Sequence, residues 1–192
     1  APAGGNGSSW SSAFRDLQLA LARAGLQDQI WVAAGTYKPA DPPQYDPQAQ
    51  VTTFQMKTGV AIYGGFPGQP GEEGNVALRD PQAHVTVLSG NILDPNNPND
   101  NTRHVVDGGG TDRSAVLDGF VISGGAAGGL VASLDNVGGG IRILSGSPTI
   151  RNCVVQNNWA LAGAGVFVSG NSSPLIQNCV VRNNYTTGGG NV

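Results

Sequence analysis

The chain has 192 residues, of which 30 are glycine and only 12% are charged, and its net charge is −3 at pH 7. The charged share is about half the usual one, and Val and Ile recur in short runs, so the composition is not that of a disordered chain. No Lys/Arg cluster offers a surface for nucleic acid, and no apolar stretch approaches the ~20 residues of a membrane helix.

"APAGGNG" at the start reads as a mature terminus left by cleavage after a small residue, or as a trimmed end, and the expectation is an exported protein, secreted or on a cell surface. "SSAFRDLQLALARAG" is the one convincing helix, expected over 12–24. Ser11 or Ser12 would cap it, Gly25 would stop it, and Phe14, Leu17, Leu21 and Ala24 would form its apolar stripe. Strand candidates follow at 30–37, 53–56, 60–66, 84–90 and 103–108, separated by long excursions at 38–52, 67–83 and 93–102. "VLDGFVISGG" (116–125) then aligns with "TIRNCVVQNN" (149–158) at an offset of 33, with a loop inserted within 126–137.

The clearest signal is a repeat. "PTIRNCVVQNN" starts at Pro148 and "PLIQNCVVRNN" at Pro174, within two units that span 138–187. Apolar and polar residues alternate in each unit, and Pro, Gly, Asn and Ser break the chain every few residues, too often for helices. Short strands with a fixed period imply a parallel β-helix of five to seven coils that rise about 4.8 Å each. Residues 1–192 then form one domain, an all-β solenoid whose open N-terminal end the helix covers. A helix packed on the side is the plainer alternative.

In such a stack Ile150 sits on Ile176 and Val155 on Val181, inside. Asn152 sits on Asn178 at a turn where left-handed backbone is needed, and the amides can bond along the stack. Cys153 sits on Cys179, as two buried thiols or, less naturally given parallel side chains, as a bridge. "GGGNV" (188–192) reads as the start of another coil, which would leave an open end able to stack.

"IWVAAGTYKP", "TFQMKTGVAIYGGFPG", "AVLDGFVISGG" and "GGGI…SPTIRNCVVQNN" resemble the secreted bacterial right-handed parallel β-helix repeat proteins, akin to polymorphic outer-membrane protein repeats. Gly138 to Ile141 fit that repeat's Gly-Gly-Ala/Gly-Ile; Val155 and Val181 replace its Phe before Asn158 and Asn184. The resemblance implies a right-handed coil, export and attachment to a surface, and no particular chemistry.

Residues for catalysis are sparse. Asp107, Asp112, Asp118 and Asp135 are scattered, and three of them adjoin Gly or Asn as turn residues do. His84 and His104 fit strand or turn roles, and Glu72 and Glu73 fit a solvated loop. "DPNNPNDN" (94–101) places Asp94, Asn96, Asn99 and Asp100 as oxygen ligands for calcium, or as a plain turn. Trp159 and Tyr185 occupy matching places and form an external stripe for sugar rings or for packing. Tyr37, Tyr45 and Trp31 carry no such register argument. The expectation is therefore a noncatalytic extracellular scaffold or adhesin, self-associating head to tail through its open coil into an oligomer or fibre. A glycan-binding module is the second reading. The third is a polysaccharide lyase or hydrolase with a site on the long loops at 38–52 and 67–102.

Overall fold

The computed structural model describes residues 5–41, 46–71, 73–128 and 133–187. Tyr45, Glu72 and the 188–192 coil start lie outside the described residues. Among the described residues one α-helix, α1 (Leu17–Arg23), comes first and five coils follow it. The first coil holds β1 (Gln29–Ala33) and β2 (Gly35–Tyr37), and the second β3 (Phe54–Gln55), β4 (Ala61–Phe66) and β5 (Thr86–Ser89). The third holds β6 (Val106–Asp107), β7 (Val116–Asp118), β8 (Val121–Ser123) and β9 (Ala126–Ala127). The fourth repeats this order with β10 (Ile141–Leu144), β11 (Thr149–Arg151), β12 (Val154–Gln156) and β13 (Trp159–Ala160). The fifth does so again with β14 (Val166–Ser169), β15 (Leu175–Gln177), β16 (Val180–Arg182) and β17 (Tyr185–Thr186).

Every strand pairs in parallel with its counterpart in the neighbouring coil. Ile150 faces Leu117 below it and Ile176 above it, and Val155 faces Ile122 and Val181. Those pairs realise the offsets of 33 and 26 seen in the sequence. The inward columns form one core, with Ile62, Leu117 and Ile150 in one column and Leu88, Ile122 and Val155 in another, all at most 3% exposed. Each such side chain contributes about 1.5–3 kcal/mol on burial. The turns between strands stack too. Gly119, Asn152 and Asn178 form a column of left-handed residues with φ of 82°, 53° and 53°. Gly124, Asn157 and Asn183 form a second. Asn replaces Gly here because its short polar side chain tolerates that conformation.

The helix is shorter than the apolar stripe suggested. Its cap is Asp16, whose side chain accepts from the Gln18 amide, and not Ser11 or Ser12. The serines instead bond one another, with Ser12 N donating to Ser9 Oγ, and this turn leaves Phe14 outside the helix under the Arg23 guanidinium. Leu17, Leu21 and Ala24 are buried against the core. The helix touches β1 and β3, the first strands of their sheets, so it lies across the N-terminal end. Gln18 Nε2 donates to Thr53 O and Lys57 Nζ to Leu21 O, which ties it there.

Candidate functional site

Two acidic residues that the sequence suggests as turn residues are buried ion-pair centres. Asp118 is 2% exposed and accepts from Arg151 Nε at 2.6 Å, from Asn152 Nδ2 at 2.9 Å and from Arg79 Nη2. Burial pushes its carboxyl up, but the bonds from Asn152, Arg151 and Arg79 together outweigh that and hold it below the usual carboxylate range. Asp107 is paired with Arg142 at 2.5 Å. Arg142 also donates to His104 Nε2 at 2.9 Å, so the other ring nitrogen carries the proton toward Gly138 O at 3.1 Å. Burial, and then the Arg142 charge, lowers His104 to about 4. Asp112 does act as a turn residue, accepting from Ser114, and Asp135 is an exposed partner of Arg103 and Arg142. Glu73 is not simply solvated: its carboxylate accepts from the amides of Trp10 and Gly71.

The 94–101 loop folds on itself. Asp94 Oδ1 accepts from the Asn96 amide, Asn97 Oδ1 from the Asn99 amide, and Asp100 Oδ2 from Asn97 Nδ2 and the Asp94 amide. Local turns thus use the side chain of Asp94, the amide of Asn99 and one oxygen of Asp100. Asp100 Oδ1 and Asn101 Oδ1 are buried without a hydrogen-bond partner, enclosed so that solvent does not reach them. Among the described residues no group of three or more His, Cys, Asp or Glu side chains is placed to hold a metal ion.

The column at Asn152 and Asn178 is in place, but the Asn152 amide bonds Asp118 instead of Asn178. The side-chain ladder runs one turn later. Asn158, fully buried, donates from Nδ2 to Asn184 Oδ1 at 3.0 Å and to Ile122 O at 3.1 Å, and its Oδ1 accepts from the Gly125 amide at 2.9 Å. Cys153 and Cys179 stand one above the other as free thiols, the first buried and the second half-buried. Their mutual hydrogen bond, and then burial, pushes Cys153 up, and the same bond lowers Cys179.

Trp159 and Tyr185 are register partners. Tyr185 is 67% exposed, while the Trp159 indole covers Gly128 so closely that an added Cβ would fall 2.0 Å from it. The free edge of Trp159 enters a groove of about 360 Å³ with Gln50, Pro98, Asn99, Arg103 and Thr187. Asn99 of the polar loop and Trp159 of the stripe therefore meet, whereas Tyr185 is not among the walls. A larger groove of about 880 Å³ lies beside α1 and β1, with Trp10, Phe14 and Trp31 in its walls. Trp31 is stacked on Phe66 with centroids 4.7 Å apart, and its Nε1 is held by Gln29. The sequence offered one signal for this groove: strand alternation that turns Trp31 outward on β1.

Parallel coils, stacked turns and a helix across one end define a capped β-solenoid. A family model described as a right handed beta helix region matches residues 89–191, and the chain belongs to that family. No curated protein and no solved structure matches it. No helix among the described residues is long and apolar enough to cross a membrane.

Proposed function

We propose that the protein is a noncatalytic scaffold, exported and held at a cell surface, whose fifth coil is a stacking interface. One observation carries this reading. Val168, Ile176 and Val181 occupy inward columns, yet they are 40%, 43% and 43% exposed, while their partners Ile143, Ile150 and Val155 are at most 1% exposed. They lie beside four strands, β14 to β17, that have one neighbour each among the described residues, a surface suited to another β-coil. The resemblance of the repeat to polymorphic outer-membrane protein repeats supports the surface role. The engagement of Asp107 and Asp118 by arginines supports a structural use of the buried acids.

The partner in this reading is a second copy. A head-to-tail fibre needs a first end open across its whole width, and α1 covers the core there and leaves only the β1 edge uncovered. The favoured contact is tail to tail, an isologous pair that closes at a dimer. Light scattering at rising concentration is expected to show the mass double, and Val181→Arg, which sets a charge in the apolar row, is expected to keep the chain single. A single-chain mass at every concentration would sink the interface; polymers of indefinite length would restore the head-to-tail contact.

A glycan-binding reading is favoured by the meeting of Trp159 with Gln50, Asn99 and Arg103. An indole beside amides and a guanidinium suits a sugar ring with its hydroxyls. Retention on a polysaccharide panel is expected to vanish in Trp159→Ala. No retention of the wild type would remove the reading, and new reducing ends or unsaturated sugars would replace it with an enzyme.

A further inference from the structure

The groove beside α1 runs along the edge of β1, not over one of its faces. All six residues from 28 to 33 line it, inward and outward side chains alike. Among the described residues β1 is the terminal strand of its sheet, with β4 as its single neighbour. A parallel ladder directs alternate residues to opposite neighbours. Ala61 N donates to Asp28 O, so the residues in step with Asp28 face β4. The amides and carbonyls of Gln29 and Trp31 face the groove.

The core shows the same gap. Ile30 heads the column that continues through Ile62, Leu117 and Ile150. Those three are at most 3% exposed, but Ile30 is only half-buried, although α1 covers the neighbouring core. The missing neighbour must therefore supply two things at once. It must offer main-chain donors and acceptors at strand spacing, and an apolar side chain over Ile30. Trp31, fixed by Phe66 and Gln29, stands ready on the outward side for the next side chain.

We propose that this groove captures an extended peptide, which adds as a further strand on the free edge of β1. The residue over Ile30 is apolar, and the flanking residues point outward beside Trp10 and Trp31. About 880 Å³ is room for a short strand and falls within the range of specific ligand sites. The site lies at the opposite end from the fifth coil, so it stands or falls apart from the dimer.

The probe is a short capped peptide of alternating valine and threonine, titrated into ¹⁵N-labelled protein. The expected result is saturable shifts centred on the Gln29 and Trp31 amides, with slowed hydrogen exchange at both. The same peptide methylated on alternate amide nitrogens is expected not to bind, because it lacks the donors. Ile30→Ala, which keeps the edge but removes the apolar contact, is expected to weaken binding about tenfold. Equal binding of the methylated peptide would overturn the proposal, as would no saturable shift at millimolar peptide. Cellohexaose serves as the sugar control: shifts at Trp10 and Trp31 with it and not with the peptide would assign the groove to a glycan instead.

Discussion

Replacing Asp118 with alanine is expected to destabilise the protein by about 3 kcal/mol, the lower end for breaking a buried ion pair. Arg79 would be left beside Gly64 O and the Tyr63 ring with only 16% of its side chain exposed, short of its counter-charge. Arg151, 40% exposed, can turn to water, which is why the lower end applies. In a chain of this length the loss corresponds to about 6–12 °C in the melting temperature. Asp118→Asn keeps the shape and is expected to cost less. A loss below about 1 kcal/mol in urea unfolding would mean that the network contributes only as an exposed pair does. The folded pKa of Asp118 is depressed, so its contribution is present above the unfolded value, near 3.8, and disappears as pH falls through the folded one. His104 acts earlier. It stays neutral to about 4 in the fold but takes a proton near 6.5 when unfolded, so stability falls as pH drops across that interval. His104→Gln should flatten the pH 7 to pH 5 part of the acid limb and leave the lower part.

The coil register was legible because the repeat carries it. A shift of 26 or 33 residues puts Ile150, Val155 and Trp159 against their partners, and period-two alternation says which of them point inward. One buried ion pair was within reach by the same arithmetic, since Asp118 and Arg151 are register partners 33 residues apart; Asp107 and Arg142 are register partners at 35, outside either shift, because the segment between them is two residues longer. The glycine after each of Asp107 and Asp118 made them resemble turn residues, and a turn reading ignores what stands one coil away. Arg79 was out of reach, because an excursion without periodicity delivers it to Asp118 across 39 residues. The helix cap was misplaced for a local reason: serines bonded to one another cannot also cap, and the first free acceptor is Asp16. Neither groove could be read from register, since each joins a coil to a segment outside the repeat.

The strongest test of the stacked turn is Asn158. Its amide satisfies Ile122 O, Gln156 O and Asn184 Oδ1 as a donor and the Gly125 amide as an acceptor. Asn158→Ala would take the side-chain acceptor from the Gly125 amide and a donor from Ile122 O and Gln156 O, while Asn184 Oδ1 keeps the Asn158 backbone N–H, at an expected cost of about 3 kcal/mol. Asn158→Asp is nearly isosteric yet should be worse at pH 7, since a carboxylate would face three oxygen acceptors with the Gly125 N–H as the donor to answer it. The buried carboxyl would keep its proton, its folded pKa raised above the unfolded one, so this variant should gain stability as pH falls, opposite in sign to the wild-type acid limb. Asn184 repeats the chemistry in the fifth coil, donating to Val155 O, but no described coil lies above it and it is only half-buried. Asn184→Asp should therefore cost far less than Asn158→Asp when the two are unfolded side by side. Equal costs would mean that the asparagines act through their local turn, and that the ladder between coils adds little.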